Sequence, residues 1–110
     1  SRGSMTASRN MPEGPRHRVG IVGGGQLARM MAEAAPRLGL DITVLDPTPG
    51  APASDFASQI VADYDDRAAL RELAACSDVV TLDIEAVSAA ALATLEHAGA
   101  TVAPSSKVLG

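Results

Sequence analysis

Apolar positions along the chain change their period in a regular order. A first strand, 18–22, apolar from Val19 onward, leads into three consecutive glycines, Gly23, Gly24 and Gly25. Apolar residues then recur at helical spacing, with Leu27, Met30, Met31, Ala34 and Leu38 on one face of a helix over 26–38. Pro36 is expected to loosen the last turn of that helix, and Gly39 to stop it. A second strand, 41–45, ends at Asp46 and is followed by the Pro- and Gly-rich loop 47–53. A third strand spans 59–62. Asp63, Asp65 or Asp66 then caps a short helix that turns Leu70 and Leu73 inward. A fourth strand, 78–82, runs into Asp83, Ile84 and Glu85. Ser88 is a good N-cap for a helix over 89–98 with Leu92 and Leu95 inward, Gly99 terminates it, and a fifth strand covers 101–103. Strands alternating with short helices predict an α/β fold, a doubly wound parallel sheet of about five strands.

In such a sheet the ligand lies beyond the carboxyl ends of the strands, where the strand order reverses. The usual crossovers put that crevice between the first and fourth strands, with 23–27 on one lip and 83–85 on the other. A strand, a tight turn without Cβ atoms and a helix N-terminus make a natural seat for an anion, most often a phosphate. Gly24 and Gly25 are therefore candidate ligand contacts. Gln26 opens the helix and can both donate and accept toward a ribose or carboxamide, and Leu27 follows it. Asp83 and Glu85, two apart on an extended backbone, share a side and suit an amine or hydroxyls. Asp46 stands where a nicotinamide-dinucleotide site has its ribose-binding acid, ~20 residues past the glycines. Pro47 and Pro49 argue instead for a rigid loop of another design. Asp63, Asp65 and Asp66 lack the glycine and glutamate of a calcium loop and read as caps. Cys76 reads as a small buried hydrophobe on a helix. His17 belongs to the N-terminal tail, and His97 to a last helical turn, where it suits the dipole.

Composition narrows the partners. The 110 residues suffice for one core, and 46% are apolar. Phe56 and Tyr64 are the only aromatics, and from Val19 onward five Lys and Arg face twelve Asp and Glu. Such a domain has neither the stacking platforms nor the basic face of a nucleic-acid binder. A single cysteine excludes an internal disulfide framework. No apolar run approaches the ~20 residues of a membrane span, and no secretory signal is visible. A cytoplasmic protein without membrane contact is expected. Residues 1–15 read as a disordered tail beginning with an expression scar, and 16–110 as the folded domain. At 104–110 a new helix begins, as though the chain were cut from something longer.

The stretch Gly23-Gly24-Gly25-Gln26-Leu27-Ala28-Arg29-Met30 resembles the 5-(carboxyamino)imidazole ribonucleotide synthase family. The resemblance continues through Leu38-Gly39, Val44-Leu45-Asp46-Pro47, Pro52-Ala53, 61–66 with Ala69-Leu70, 76–81 and Ala103-Pro104-Ser105. It implies a Rossmann-like pre-ATP-grasp domain that precedes an ATP-grasp domain. It further implies an ATP-dependent ligase that carboxylates 5-aminoimidazole ribonucleotide with bicarbonate in purine biosynthesis, homodimeric at full length. In the family the ribonucleotide site uses Gln26, Leu27 and the acid at Asp83. ATP and magnesium are held by the ATP-grasp domain, so this chain alone is expected to be inactive. Asp83-Ile84-Glu85-Ala86 departs from the usual family pattern. It is closer to formate-dependent glycinamide ribonucleotide transformylase, which carries Glu at the position of Gln26. A third reading is a non-catalytic nucleotide- or dinucleotide-binding module.

Overall fold

The computed structural model describes residues 17–83 and 88–103. In chain order these form β1 (His17–Val22), α1 (Gln26–Leu38), β2 (Leu40–Asp46), a 3₁₀ turn (Pro52–Asp55), β3 (Ser58–Val61), α2 (Arg67–Ala75), β4 (Val79–Leu82), α3 (Ala89–His97) and β5 (Thr101–Val102). The strands make one parallel sheet in the order β3-β2-β1-β4-β5. The order reverses between β1 and β4, as the alternation of strands and helices predicts.

Parallel pairing buries both faces of the sheet, and side-chain parity sends each residue to one of two cores. Val19 and Ile21 of β1 join Ile42 and Val44 of β2 beneath α1. Val22, Leu45 and Val80 point the other way, against Leu70 and Leu73 of α2 and Leu95 of α3. Gly20 also faces α2. A Cβ there would lie 2.5 Å from Ser77 Oγ and 2.9 Å from Leu73 Cγ, so only glycine lets α2 sit this close to β1.

The helix ends follow from capping chemistry. Gly39 closes α1 in the left-handed region at φ 70, and its N–H donates to Ala35 O. Pro36 sits inside α1. Asp66 is the acid that caps α2, accepting from Ala69 N–H at 3.0 Å. Ser88 caps α3, accepting from Ala91 N–H at 3.0 Å.

Four expectations are corrected. The inner stripe of α1 is Ala28, Met31, Ala32 and Ala35, while Met30 is 64% and Leu38 44% exposed. Alanines let the helix approach the sheet closely, and the larger side chains are turned out to make that possible. His17 is the first residue of β1 rather than part of a tail. Cys76 is the half-buried C-cap of α2, its Sγ 3.4 Å from Leu73 O. Leu95 is fully buried but Leu92 only partly so. No helix among the described residues is long and apolar enough to cross a membrane. Residues 1–16, 84–87 and 104–110, including the segment read as a tail and the start of a new helix, lie outside the described residues.

Candidate functional site

The glycine turn sits where the sheet order reverses, and each glycine has its own task. Gly23 adopts φ 110, a conformation that side chains rarely take, and its N–H donates to Leu45 O at 2.7 Å. Gly24 is buried. Its N–H donates to Asp46 Oδ2 at 2.9 Å, and its carbonyl accepts from Ala53 N–H at 3.0 Å. A Cβ on Gly24 would meet Ala51 Cβ at 3.0 Å. Gly25 is the N-cap of α1 and supplies no capping side chain, nor does the first turn carry an acid.

Asp83 fills that gap from across the crevice. β4 pairs with β1 so that Leu82 lies opposite Val22, and Asp83 N–H donates to Val22 O at 2.8 Å. Asp83 therefore emerges beside the turn, on the α1 face of the sheet. Its Oδ2 accepts from Ala28 N–H, in the first turn of α1, at 3.1 Å. A carboxylate at this point satisfies an orphan donor and complements the helix dipole.

This arrangement shows how the protein's own groups engage the glycine turn. The Asp83 carboxylate takes one donor, Ala28 N–H, at the helix start where the sequence suggests a phosphate seat, and its charge opposes a second anion beside it. Both backbone polar groups of Gly24 are engaged within the protein, so Gly24 shapes the turn. Among the described residues, no partner takes the N–H groups of Gly25, Gln26 and Leu27, or Asp83 Oδ1. Gln26 is exposed and Leu27 half-buried. The structure thus brings Gly25, Gln26, Leu27 and Asp83 together. Glu85 lies outside the described residues.

Asp46 is 9% exposed and turned toward the turn. Oδ2 accepts from Gly24 N–H and from the Tyr64 hydroxyl at 3.0 Å, and Oδ1 accepts from Thr48 N–H at 2.8 Å. Burial pushes its carboxyl upward, but the N–H groups of Gly24 and Thr48 and the Tyr64 hydroxyl outweigh that and hold it below the usual carboxylate range. The Tyr64 phenol is pushed up, by burial first and then by the Asp46 carboxylate. Asp46 thus serves the loop, as Pro47 and Pro49 suggested. Tyr64 and Gln59, which brace this region, were not visible as partners in the sequence. The one available signal was that Tyr64 is one of only two aromatics.

Among the described residues no group of three His, Cys, Asp or Glu side chains could hold a metal ion. Asp65 accepts from the Ser88 hydroxyl at 2.6 Å, joining the starts of α2 and α3. Four of the described arginines serve elsewhere. Arg18 binds Asp78 at 2.9 Å, Arg29 lies over the Phe56 ring, and Arg67 and Arg71 line a groove between α2 and α3. A larger groove, about 670 Å³, is lined by Arg18, Leu40, Asp41 and Ser58 at the starting ends of the strands. The carboxyl edge remains the better site, because there backbone donors and an acid converge from separate elements.

The family model described as the ribonucleotide synthetase preATP-grasp domain matches residues 16–110. The chain belongs to this family. The preATP-grasp domain is 47% identical over 91 residues to N5-carboxyaminoimidazole ribonucleotide synthase of Brucella melitensis, covering 82% of this chain and 25% of that protein. It therefore spans about a quarter of the length of the curated relatives it matches. An N5-carboxyaminoimidazole ribonucleotide synthetase crystallised with ADP matches at TM-score 0.73 and 47% identity, over 80% of this chain and 23% of the other. The synthase from Aspergillus clavatus, in complex with ADP and 5-aminoimidazole ribonucleotide, matches at TM-score 0.67 and 34% identity, over 79% and 23% of the two chains. The transformylase-type neighbour from Mycobacterium tuberculosis is more distant, at 29% identity and TM-score 0.66 over 77% of this chain and 25% of its own.

Proposed function

We propose that this preATP-grasp domain is the ribonucleotide-binding portion of an ATP-dependent ligase that carboxylates 5-aminoimidazole ribonucleotide with bicarbonate, a step of purine biosynthesis. The observation that carries the reading is the Asp83 carboxylate. One oxygen is fixed by Ala28 N–H, and the other has no partner among the described residues, beside the open N–H groups of Gly25, Gln26 and Leu27. That pattern suits a guest that donates to the carboxylate and accepts from the N–H groups, such as an amine beside ribose hydroxyls, which can do both. Asp83 accepts a hydrogen bond from the 5-amino group, leaving the nitrogen lone pair directed away and available for carboxylation. Gln26 meets the ribose, and Leu27 supplies an N–H and an apolar wall. Glu85 is assigned a binding role from its sequence position alone.

The domain is acidic and its turn is already neutralised by Asp83. The phosphate of the ribonucleotide, ATP and magnesium accordingly belong to the ATP-grasp portion of a longer protein, where the carboxyl transfer takes place. This chain contributes binding and orientation of the amine. The 47% likeness to a synthase against 29% to the transformylase favours carboxylation over formyl transfer. We assign the full-length protein to the cytoplasm as a homodimer, with no nucleic-acid or membrane partner. Calorimetric titration with 5-aminoimidazole ribonucleotide tests the reading. Asp83→Ala removes a charge-assisted hydrogen bond of about 1.5–3 kcal/mol, a ten- to hundred-fold weaker Kd. Equal affinity for wild type and variant would remove Asp83 from the site.

A further inference from the structure

The loop 47–53 is fastened to the glycine turn by contacts that the binding role of Asp83 does not require. Gln59 Nε2 donates to Asp46 O at 3.1 Å and to Thr48 O at 2.8 Å, and its Oε1 accepts from Ala51 N–H at 3.3 Å. Ala53 N–H reaches Gly24 O, and Ala51 is packed against Gly24. From the other side Asp46 holds Gly24 N–H, Thr48 N–H and the Tyr64 hydroxyl. Asp46 lies 22 residues past Gly24. That is where dinucleotide-binding sheets place the acid that receives the adenosine ribose. Here the carboxylate is buried and both of its oxygens are engaged with the protein's own groups.

We propose that Asp46, Tyr64 and Gln59 are positioning residues that set the specificity of the turn. They hold Gly24 and the loop 47–53 where the second ribose of a dinucleotide would lie, and leave the space beyond Gly25 for a single nucleotide. The inference rests on the reading of the glycine turn as the ligand site. Tyr64 acts at a distance: its hydroxyl orients Asp46, Asp46 orients Gly24, and Gly24 sets the direction in which Gly25 and α1 leave the turn.

The test uses the full 110-residue chain, wild type and Tyr64→Phe, which removes one hydroxyl and keeps the ring. Asp66→Ala serves as the control, because it removes the cap of α2 without touching the turn. Nuclear magnetic resonance should show the Gly24 amide proton shifting in Tyr64→Phe and staying in place in Asp66→Ala. Affinity for 5-aminoimidazole ribonucleotide should fall about three- to ten-fold in Tyr64→Phe, the loss of one hydrogen bond. It should hold in Asp66→Ala even though that variant also melts earlier. NAD should show no saturable binding to wild type up to millimolar concentration. A Gly24 proton indifferent to Tyr64→Phe, or micromolar NAD binding, overturns the inference. If the ribonucleotide fails to bind wild type, the proposed function falls, while the Gly24 and NAD results still decide this inference.

Discussion

Gly24 and Gly25 are neighbours in sequence, but alanine at each should do different things. At Gly24 the new Cβ would sit 3.0 Å from Ala51 Cβ and 3.4 Å from Asp46 Cβ. Ala51 cannot simply withdraw, because Gln59 holds its N–H and the Ala53–Gly24 hydrogen bond holds the loop beyond it. Overpacking of this kind costs about 1–3 kcal/mol. For a domain of this size each kcal/mol lowers Tm by about 4–8 °C, so Gly24→Ala should melt roughly 4–20 °C below wild type. At Gly25 the backbone, φ −81, is open to any residue, and the nearest atom to a new Cβ is Asp83 Oδ2 at an ordinary 3.5 Å. Alanine is a poorer N-cap than glycine by roughly 0.5–1 kcal/mol. It also stiffens the unfolded chain, which returns about 0.4–1 kcal/mol. The two effects nearly cancel, and Tm should stay within about 4 °C of wild type. The methyl group nevertheless stands at the entrance to Asp83, so the ribonucleotide Kd should rise at least about ten-fold, near 1.4 kcal/mol. Circular-dichroism melting and calorimetry measure the two quantities separately. A Gly24→Ala protein as stable as wild type, or a Gly25→Ala protein binding with unchanged affinity, would refute the reasoning.

Other consequences concern stability. Thr81 is 1% exposed, and its hydroxyl has no hydrogen-bond partner among the described residues. Thr81→Val should therefore raise stability by about 1–2 kcal/mol, seen as a higher Tm, and a clear loss would show that the hydroxyl is satisfied. Asp46 and Asp78 both titrate below the usual carboxylate range, Asp78 through its hydrogen bonds with Arg18. Groups depressed on folding contribute stability above their unfolded pKa, about 3.9, and lose it as the pH falls through the folded value. Wild type should thus lose stability from about pH 4 downward. Asp46→Asn should show a shallower acid limb from a lower starting Tm, and parallel limbs would mean that Asp46 is not a stabilising carboxylate.

The strand and helix order, the reversal between β1 and β4, and the caps at Gly39 and Ser88 were legible in the sequence, because each rests on local chemistry, while the cap of α2 was narrowed to Asp63, Asp65 or Asp66, of which the structure uses Asp66. The face of α1 was not. In a run of alanines and methionines, the stripes 27-30-31-34-38 and 28-31-32-35 satisfy helical spacing about equally well. What decides between them is how close the helix must come to the sheet. The same limit hid the role of Asp83. Its position at the crevice lip follows from topology, but its hydrogen bond to Ala28 N–H depends on a register between two elements 55 residues apart. Asp46, Tyr64 and Gln59 were separate features in one dimension and become one network only through the pairing of β2 with β3. Glu85, outside the described residues, keeps its place in the proposal through its sequence position alone.

The central claim is that a ribonucleotide binds at the junction of Gly25, Gln26, Leu27 and Asp83. Amide chemical-shift mapping of this chain, titrated with 5-aminoimidazole ribonucleotide, tests it most directly. The account predicts saturable shifts concentrated at the amides of residues 25–28 and at Asp83, with the groove between α2 and α3 and the one at the starting ends of the strands unmoved. Shifts centred on Arg67, Arg71 and His97, or on Arg18 and Asp41, with residues 25–28 silent, would contradict it.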